Sequence, residues 1–401
     1  MNLNSAPQSV RIHIGLFGKR NAGKSSIINA ISNQNIAIVS NVAGTTTDPV
    51  FRPIEILPIG PCVLIDTAGL DDEGTLGELR INKSLDILNK TDIGLVIVDA
   101  SKGISKEDLH IINLLKEKKI PHILVLNKID KISDKKEVVQ SAKLKVSCPI
   151  SLVSSVTKEG IDKLKENIVS NVDYENDNLQ LVSDLIKEDD LVLLVIPIDK
   201  AAPKGRLILP QQQVIRDVLD SNATAIMTKE NTLKETFDSL NKRPNLVITD
   251  SQAFEVVSKY TPNDIPLTSF SILFARQKGD LKELIKGAQA VDNLKDGDRI
   301  LIAEGCTHHR QSDDIGTFKI PNWLKKYTGK DLIFEYSSGV SFTEDINNYN
   351  LIIHCGGCMM NRATMMNRIT AAKNSNIPIV NYGILIAYLK GILPRALQPI
   401  K

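Results

Sequence analysis

The chain has 401 residues, 42% of them hydrophobic and 24% charged, which fits about two to three folded domains and excludes disorder over most of its length. A formal net charge of +2 excludes a strongly basic nucleic-acid coat and an acidic tail. No apolar run reaches ~18 residues and Met1–Val10 has no secretory apolar core, so no membrane span and a cytoplasmic location are expected.

Strand-like and helix-like patterns alternate through the first part of the chain. Arg11–Phe17 is an apolar, β-branched run, followed by a glycine-containing turn and the helical pattern Lys24–Ile31. Val63–Asp66, Leu95–Asp99 and Ile123–Asn127 read as buried strands, and Lys106–Lys118 and Ile161–Ser170 as helices. This alternation predicts an α/β fold, a doubly wound and mostly parallel sheet with helices on both faces. Asn171–Asn178 is polar, without apolar periodicity, and reads as a linker.

Leu191–Ile198 suits a central strand. Gln211–Leu219 (helix), Ala223–Thr228 (strand), Asn231–Leu240 (helix) and Leu246–Asp250 (strand) follow, closed by the turn cluster Thr261-Pro262-Asn263-Asp264. Beyond it come one long helical pattern, Ser269–Val291, and three strands, Arg299–Ala303, Leu332–Tyr336 and Asn350–His354. A helix over Met359–Lys373, a strand over Ile377–Val380 and a helix over Gly383–Lys390 end the chain. The expected organisation is a nucleotide-binding domain over 1–172, a small α/β domain over 173–264 and another over 265–401.

Gly18-Lys19-Arg20-Asn21-Ala22-Gly23-Lys24-Ser25 fits G-x-x-x-x-G-K-[ST] between a predicted strand and a predicted helix, the context that motif requires. Backbone N–H groups and the helix N-terminus favour phosphate there. Gly18, Asn21, Gly23, Lys24, Ser25 and Ser26 are the expected contacts, with Lys24 on the β- and γ-phosphates and Ser25 on Mg²⁺. Asp66-Thr67-Ala68-Gly69 ends a strand; Asp66 can hold Mg²⁺ through water, and Gly69 can offer its N–H to the γ-phosphate. Asn127-Lys128-Ile129-Asp130 ends another. Asp130 can accept from guanine N1–H and N2–H, a donor pair that adenine lacks. Ser154-Ser155 sits where a contact to guanine O6 is expected, and Thr45-Thr46-Thr47 in the first switch position, with Thr46 sensing Mg²⁺. These elements in this order point to a GTPase.

Residues 11–170 resemble the translation-factor-related GTPases, most of all the TrmE–Era branch. Asn21 occupies the position that coordinates K⁺ in potassium-activated members, and Gly44-Thr45-Thr46-Thr47-Asp48 resembles their K-loop. Leu70 stands where Ras-like proteins carry a catalytic glutamine. The resemblance implies slow, K⁺-dependent hydrolysis with K⁺ supplying the charge of an arginine finger. Asn21 also suits a plain turn. Cys62 and Cys148 read as packed thiols.

The other three cysteines lie in the last quarter. Cys306-Thr307-His308 follows one predicted strand and His354-Cys355-Gly356-Gly357-Cys358 another, so both groups fall at the carboxyl ends of strands, the edge where α/β sheets build sites. Spacing leaves open a tetrahedral Zn²⁺, a [4Fe–4S] cluster on three thiolates, and a redox dithiol at Cys355/Cys358. Glu304, His308 and His354 are alternative further ligands, a carboxylate suiting a position that must be vacated. Arg362, Arg368 and Lys373 read as a solvated helix face, and Met359, Met360, Met365 and Met366 as core.

Cys-x-His…His-Cys-x-x-Cys behind a TrmE-like GTPase, with Lys204-Gly205-Arg206-Leu207-Ile208-Leu209-Pro210-Gln211 between, resembles the HydF family of [FeFe]-hydrogenase maturation GTPases over essentially the whole chain. The resemblance implies a homodimer through the middle domain and a [4Fe–4S] cluster on Cys306, Cys355 and Cys358. It implies a diiron precursor accepted from radical-SAM maturases of the HydE and HydG type and passed to apo-[FeFe]-hydrogenase. The contrasting reading is a regulatory GTPase with a structural Zn²⁺ domain acting on RNA or ribosomes. The lack of basic excess and of clustered aromatics speaks against nucleic acid as a partner.

Overall fold

In the computed structural model of the chain, residues 11–32, 50–67, 87–172, 180–197, 207–305, 314–339, 346–357 and 360–400 are described. The chain divides into two compact units, Met1–Asp177 and Asn178–Lys401.

The first unit holds β1 (Ile12–Phe17), β2 (Val50–Ile56), β3 (Gly60–Asp66), β4 (Ile93–Asp99), β5 (His122–Asn127) and β6 (Ile150–Leu152) in the order β2-β3-β1-β4-β5-β6. All neighbours are parallel except β2, which runs against β3. β1 and β4 are buried at every residue, as parallel strands covered on both faces must be. Their apolar runs made them legible. α1 (Lys24–Ser32) and α4 (Ile161–Asn171) cover one face through Ile27, Ile28, Leu164 and Ile168. α2 (Lys106–Glu117) and α3 (Lys135–Lys143) cover the other through Ile111, Leu115 and Ala142. α2 starts on a reciprocal cap: the Asp108 N–H donates to Ser105 Oγ at 3.3 Å, and the Ser105 N–H to Asp108 Oδ2 at 3.0 Å.

β2, β6 and α3 are additions to the sequence reading. β2 is an edge strand carrying Arg52, Pro53 and Glu55, and α3 buries only Ala142, so neither shows a strong apolar period.

The second unit contains two parallel sheets. β7 (Leu191–Val195), β8 (Thr224–Thr228), β9 (Leu246–Thr249) and β10 (Leu267–Ser269) are ordered β10-β9-β7-β8, with β7 inside as its apolar run predicts. The sheet thus continues past residue 264, where the sequence reading ends the middle domain. α5 (Leu209–Asp220), α6 (Leu233–Ser239) and α7 (Phe254–Tyr260) accompany it. The pattern Ser269–Val291 is not one helix. It is α8 (Phe270–Lys278), α9 (Leu281–Gln289) and a 3₁₀ turn, Ala290–Asn293. The break falls at Gly279-Asp280, where the Asp280 carboxylate accepts the Glu283 N–H at 3.2 Å and starts a new helix.

The last sheet has the order β12-β11-β13-β14, from β11 (Arg299–Glu304), β12 (Ile333–Ser338), β13 (Leu351–His354) and β14 (Ile379–Asn381), all parallel. α10 (Ile320–Thr328), α11 (Arg362–Asn374), α12 (Tyr382–Leu389) and α13 (Leu393–Leu397) complete it; α10 and α13 are additions to the sequence reading. One continuous core joins Val195, Val247 and Phe254 beside the middle sheet to Ile302, Ile352 and Leu385 in and beside the last. Among the described residues no helix is long and apolar enough to cross a membrane.

A shared core makes the two sheets of this unit one cooperative element. Phe254→Ala should cost about 3–5 kcal/mol and should speed amide exchange in β13 as well as in β7. Exchange read by mass spectrometry checks it; acceleration confined to β7 and β9 would mean that the sheets open separately.

Candidate functional site

The motifs of the first unit meet at the carboxyl edge of its sheet. The register pairs Leu16 of β1 with Asp66 of β3, and Asp99 of β4 with Asn127 of β5, so the loops leaving these strands rise together. Gly18–Gly23 forms a turn ahead of α1, with Asn21 left-handed at φ 62° and its side chain exposed. Lys24 is buried, and its ammonium donates to the carbonyls of Gly18 at 2.7 Å and Lys19 at 2.9 Å. Ser25 Oγ donates to Asp66 Oδ2 at 2.9 Å. Burial raises the Asp66 carboxyl above its usual range, against the opposing pull of Ser25, Lys24 and Arg52. Ser26 follows on α1.

A second set of contacts ties the loop after β5 to the phosphate turn. Asn127 is fully buried; its Nδ2 donates to Ala22 O at 2.9 Å, and its Oδ1 accepts the Ser155 N–H at 3.2 Å. A Cβ on Gly23 (φ 99°) would lie 2.2 Å from Asn127 Nδ2, so this glycine is required by the approach. Ser154 Oγ donates to Asp130 Oδ1 at 2.6 Å and holds that carboxyl below the usual range. Lys128 donates to Asn21 O at 2.6 Å and to Asp99 Oδ2 at 2.8 Å. Burial works to raise Asp99, but Lys128 and Ser101 outweigh it and leave the carboxyl lowered. The Asp99 brace was missed by the sequence reading; its one signal is an aspartate ending a buried strand. Thr46, Gly69 and Leu70 lie outside the described residues.

A second cluster forms where β11 and β13 end. Ala303 lies opposite His354, and the Cys355 N–H donates to Ala303 O at 3.0 Å. The Gly305 N–H donates to Cys355 Sγ at 3.1 Å. Glu304 is buried, with the Tyr382 hydroxyl 3.4 Å from its Oε1. Gly357 is left-handed at φ 61°, and a Cβ there would lie 2.5 Å from the Met365 methyl. Met360 and Met365 are buried in the core, as expected. Cys306, His308, Cys358 and Met359 lie outside the described residues, and among the described residues no group of three or more His, Cys, Asp and Glu side chains could hold a metal.

The remaining thiols are packed. Cys62 is fully buried and its thiol is pushed up to about 12 by burial; Cys148 is half-buried and raised for the same reason.

His354 is fully buried, and both of its nitrogens are engaged: Nε2 with Arg368 Nη1 at 2.7 Å, Nδ1 with the Cys355 carbonyl. Burial and the Arg368 charge push its pKa down to about 3, so the ring is neutral. In this arrangement it offers no nitrogen to a metal. The solvated-face reading fails for Arg368, which is 3% exposed and donates to Gly339 O. It lies in the buried stripe Thr364, Met365, Arg368, Ile369 and Ala372 of α11, a helical period that was legible. Arg362 donates to Gln277 O, and Lys373 alone fits the solvated reading, 3.4 Å from Glu283.

The described thiol and its neighbours suit a thiolate-held inorganic centre. One cysteine sulfur already accepts a backbone N–H, methionines close one side, and among the described residues nothing lies within 4 Å of where a Gly356 side chain would begin.

Curated relatives that match part of the chain are GTPases. GTPase Der of Lawsonia intracellularis is 37% identical over 163 residues, 38% of this chain and 36% of that protein. The tRNA modification GTPase MnmE of Desulforamulus reducens is 38% identical over 158 residues, 39% of this chain and 34% of that protein. The chain thus spans about a third of the length of the curated relatives it matches. Among solved structures, Aquifex aeolicus Era bound to GDP and AlF4⁻ is 19% identical, with 62% of this chain and 97% of that chain covered and a TM-score of 0.36. The FeoB G-domain of Methanococcus jannaschii is 24% identical, with 40% and 98% covered and a TM-score of 0.31.

Family models match most of the chain. Residues 13–128 match the 50S ribosome-binding GTPase model. Residues 181–279 match the hydrogen maturase F dimerization domain, and 282–399 the hydrogen maturase F tetramerization domain. These last two take in more than half of the chain, follow one another in order, and stand behind a GTPase domain whose motif side chains meet at one sheet edge. The chain belongs to the hydrogen maturase F (HydF) family.

Proposed function

We propose that the chain hydrolyses GTP and carries, on its last sheet, a [4Fe–4S] cluster beside which a diiron precursor is held for delivery to apo-[FeFe]-hydrogenase. The observation that carries this reading is Cys355, a strand-end thiol whose sulfur accepts the Gly305 N–H, within a hydrogen maturase F domain. Radical-SAM maturases of the HydE and HydG type would supply the precursor. The matched dimerization domain supports self-association through the middle sheet. The RNA-linked name belongs to a relative that matches 39% of this chain over 34% of its own length.

In the first site, water attacks the γ-phosphorus, the bond to the β–γ bridging oxygen breaks, and GDP and phosphate leave. Lys24 would neutralise charge on the β- and γ-oxygens, Gly69 would offer its N–H to the γ-phosphate, and Thr46 would sense Mg²⁺. Ser25 and Asp66 would hold Mg²⁺, which lends positive charge to the phosphates. Asn127 braces the base loop against the phosphate turn, and Ser154 fixes the Asp130 carboxylate for guanine. In Asp130→Asn two charge-assisted hydrogen bonds are lost. GTP should bind roughly a hundredfold more weakly (about 3 kcal/mol), and xanthosine triphosphate should gain; titration with fluorescent nucleotides checks both.

Asn21 would take K⁺. Hydrolysis should run roughly tenfold or more faster in K⁺ than in Na⁺, and Asn21→Ala should remove that difference. Equal rates in the two salts would remove K⁺ from the scheme.

In the second site Cys306, Cys355 and Cys358 would ligate the cluster, which stores and passes single electrons. Glu304 is the proposed fourth, exchangeable ligand, since both His354 nitrogens are engaged; His308 is the competing choice. After anaerobic reconstitution the full chain should hold about four irons and four sulfides. Cys355→Ala should lose them, while Lys24→Ala should lose hydrolysis and keep the iron. Zinc without sulfide would overturn the reading. Activation of apo-[FeFe]-hydrogenase by the loaded chain tests delivery.

A further inference from the structure

Two residues other than glycine adopt the left-handed conformation at the first site: Asn21 (φ 62°) in the phosphate turn and Lys128 (φ 64°) in the base loop. L side chains rarely take that backbone, and it persists where surrounding contacts hold it. One side chain joins the two, the Lys128 ammonium donating to Asn21 O at 2.6 Å. A lysine head on a flexible four-carbon stem does not hold such a contact unaided. Asp99 supplies the hold. Its Oδ2 accepts from the Lys128 ammonium at 2.8 Å, while its Oδ1 accepts from the Ser101 hydroxyl at 2.7 Å and the Ser101 N–H at 3.1 Å. Ser101 thus fixes the carboxylate on one side, and the other side is left to aim the lysine. The sheet sets its place: Asp99 ends β4 opposite Asn127 of β5, and the Ala100 N–H donates to Asn127 O at 2.8 Å. The Lys128 and Asp99 side chains are 23% and 10% exposed, so water screens this pair less than a surface ion pair.

Granted that the first site binds guanine nucleotides, we propose that Asp99 is a positioning residue for them, which acts through Lys128 to lock the base loop to the phosphate turn at Asn21. The pocket for the base and the cradle for the phosphates then stand at a fixed separation before the nucleotide arrives. Asn127 ties the same two segments by another bond, Nδ2 to Ala22 O at 2.9 Å. Without Asp99 the turn stays fastened at Ala22 and loosens at Asn21, and ordering it again is drawn from the binding energy. GTP and GDP share the base and the β-phosphate, so their affinities should fall together.

The test is a double-mutant cycle on the full chain, read as the Kd of fluorescent GTP and of fluorescent GDP. Asp99→Ala should weaken both about tenfold, and Lys128→Ala should weaken both at least as much. Asp99→Ala placed on Lys128→Ala should cause no further loss, because the carboxylate then has no lysine to aim. Wild-type affinity in Asp99→Ala would overturn the proposal. So would a double variant that loses the full product of the two single losses, since Asp99 would then act independently of Lys128, as it would if it merely stabilised the fold. Where Asp99→Ala fails to fold, Asp99→Asn takes its place in the cycle: it fills the same volume, keeps an acceptor for Ser101, and is decided by the same two outcomes. A wild-type chain that binds neither nucleotide defeats the nucleotide reading itself, so the two failures are told apart.

Discussion

Parallel pairing of β11 with β13 is the constraint on which the second cluster depends. Ala303 lies opposite His354, and the Cys355 N–H closes the ladder on Ala303 O, so two chain segments about fifty positions apart leave the sheet side by side. Parallel strands present the same end to the same edge, and the loops that follow must gather there. The first unit obeys the same rule: Leu16 beside Asp66 and Asp99 beside Asn127 set the phosphate turn, the aspartate and the base loop around one place. Two chemically unrelated clusters thus arise from one geometric habit of the α/β sheet.

Backbone carbonyls recur as the partners of cations in both clusters. Lys24 donates to two of them, Lys278 to Met360 O at 3.0 Å, and Arg368 to Gly339 O. A carbonyl satisfies a hydrogen bond without cancelling the charge, whereas a carboxylate cancels it, as Asp99 does for Lys128. Lys24 and Arg368 are thus each held in place by backbone carbonyls. Lys278 does a mechanical job as well. It sits on α8, buried over the Phe274 ring, and grips the turn that follows the last cysteine, while Arg362 grips α8 in return at Gln277 O. α8 also packs Phe270 and Leu273 against Val192 and Ile248 of the middle sheet, so the cysteine turn and that sheet are fastened to one helix.

What the sequence disclosed follows from burial. Strands covered on both faces need apolar side chains at nearly every position, so β1, β4, β7 and β11 could be read directly. Edge strands and surface helices face water on one side: β2 carries arginine, proline and glutamate, α3 buries one alanine, and neither stood out. The merged helix over Ser269–Val291 hid a stop at Gly279-Asp280, which a close look at capping chemistry would have marked. The phosphate turn and base loop were legible because their residue types answer to ligand chemistry rather than to packing. Arg368 was misread for the opposite reason. Charged residues are assigned to water by default, and only its place in the buried stripe of α11 argued otherwise. The assignment of the cysteines to iron rather than zinc came from family resemblance, since thiolates serve both metals.

The pleat of the last sheet separates the side chains of Glu304 and His354. Successive residues of a strand point to opposite faces. His354 shares its level with Ala303, and it turns toward α11, where Arg368 and the Cys355 carbonyl engage its nitrogens. Glu304 is one step further along β11 and turns the other way, toward Tyr382 on α12. Burial raises the Tyr382 hydroxyl above its usual range, and the nearby charges of Glu304, Cys355 and Asp314 add to the rise. The sheet's two-residue period therefore sends Glu304 and His354 to opposite faces, one toward α12 and the other between the Arg368 guanidinium and the Cys355 backbone.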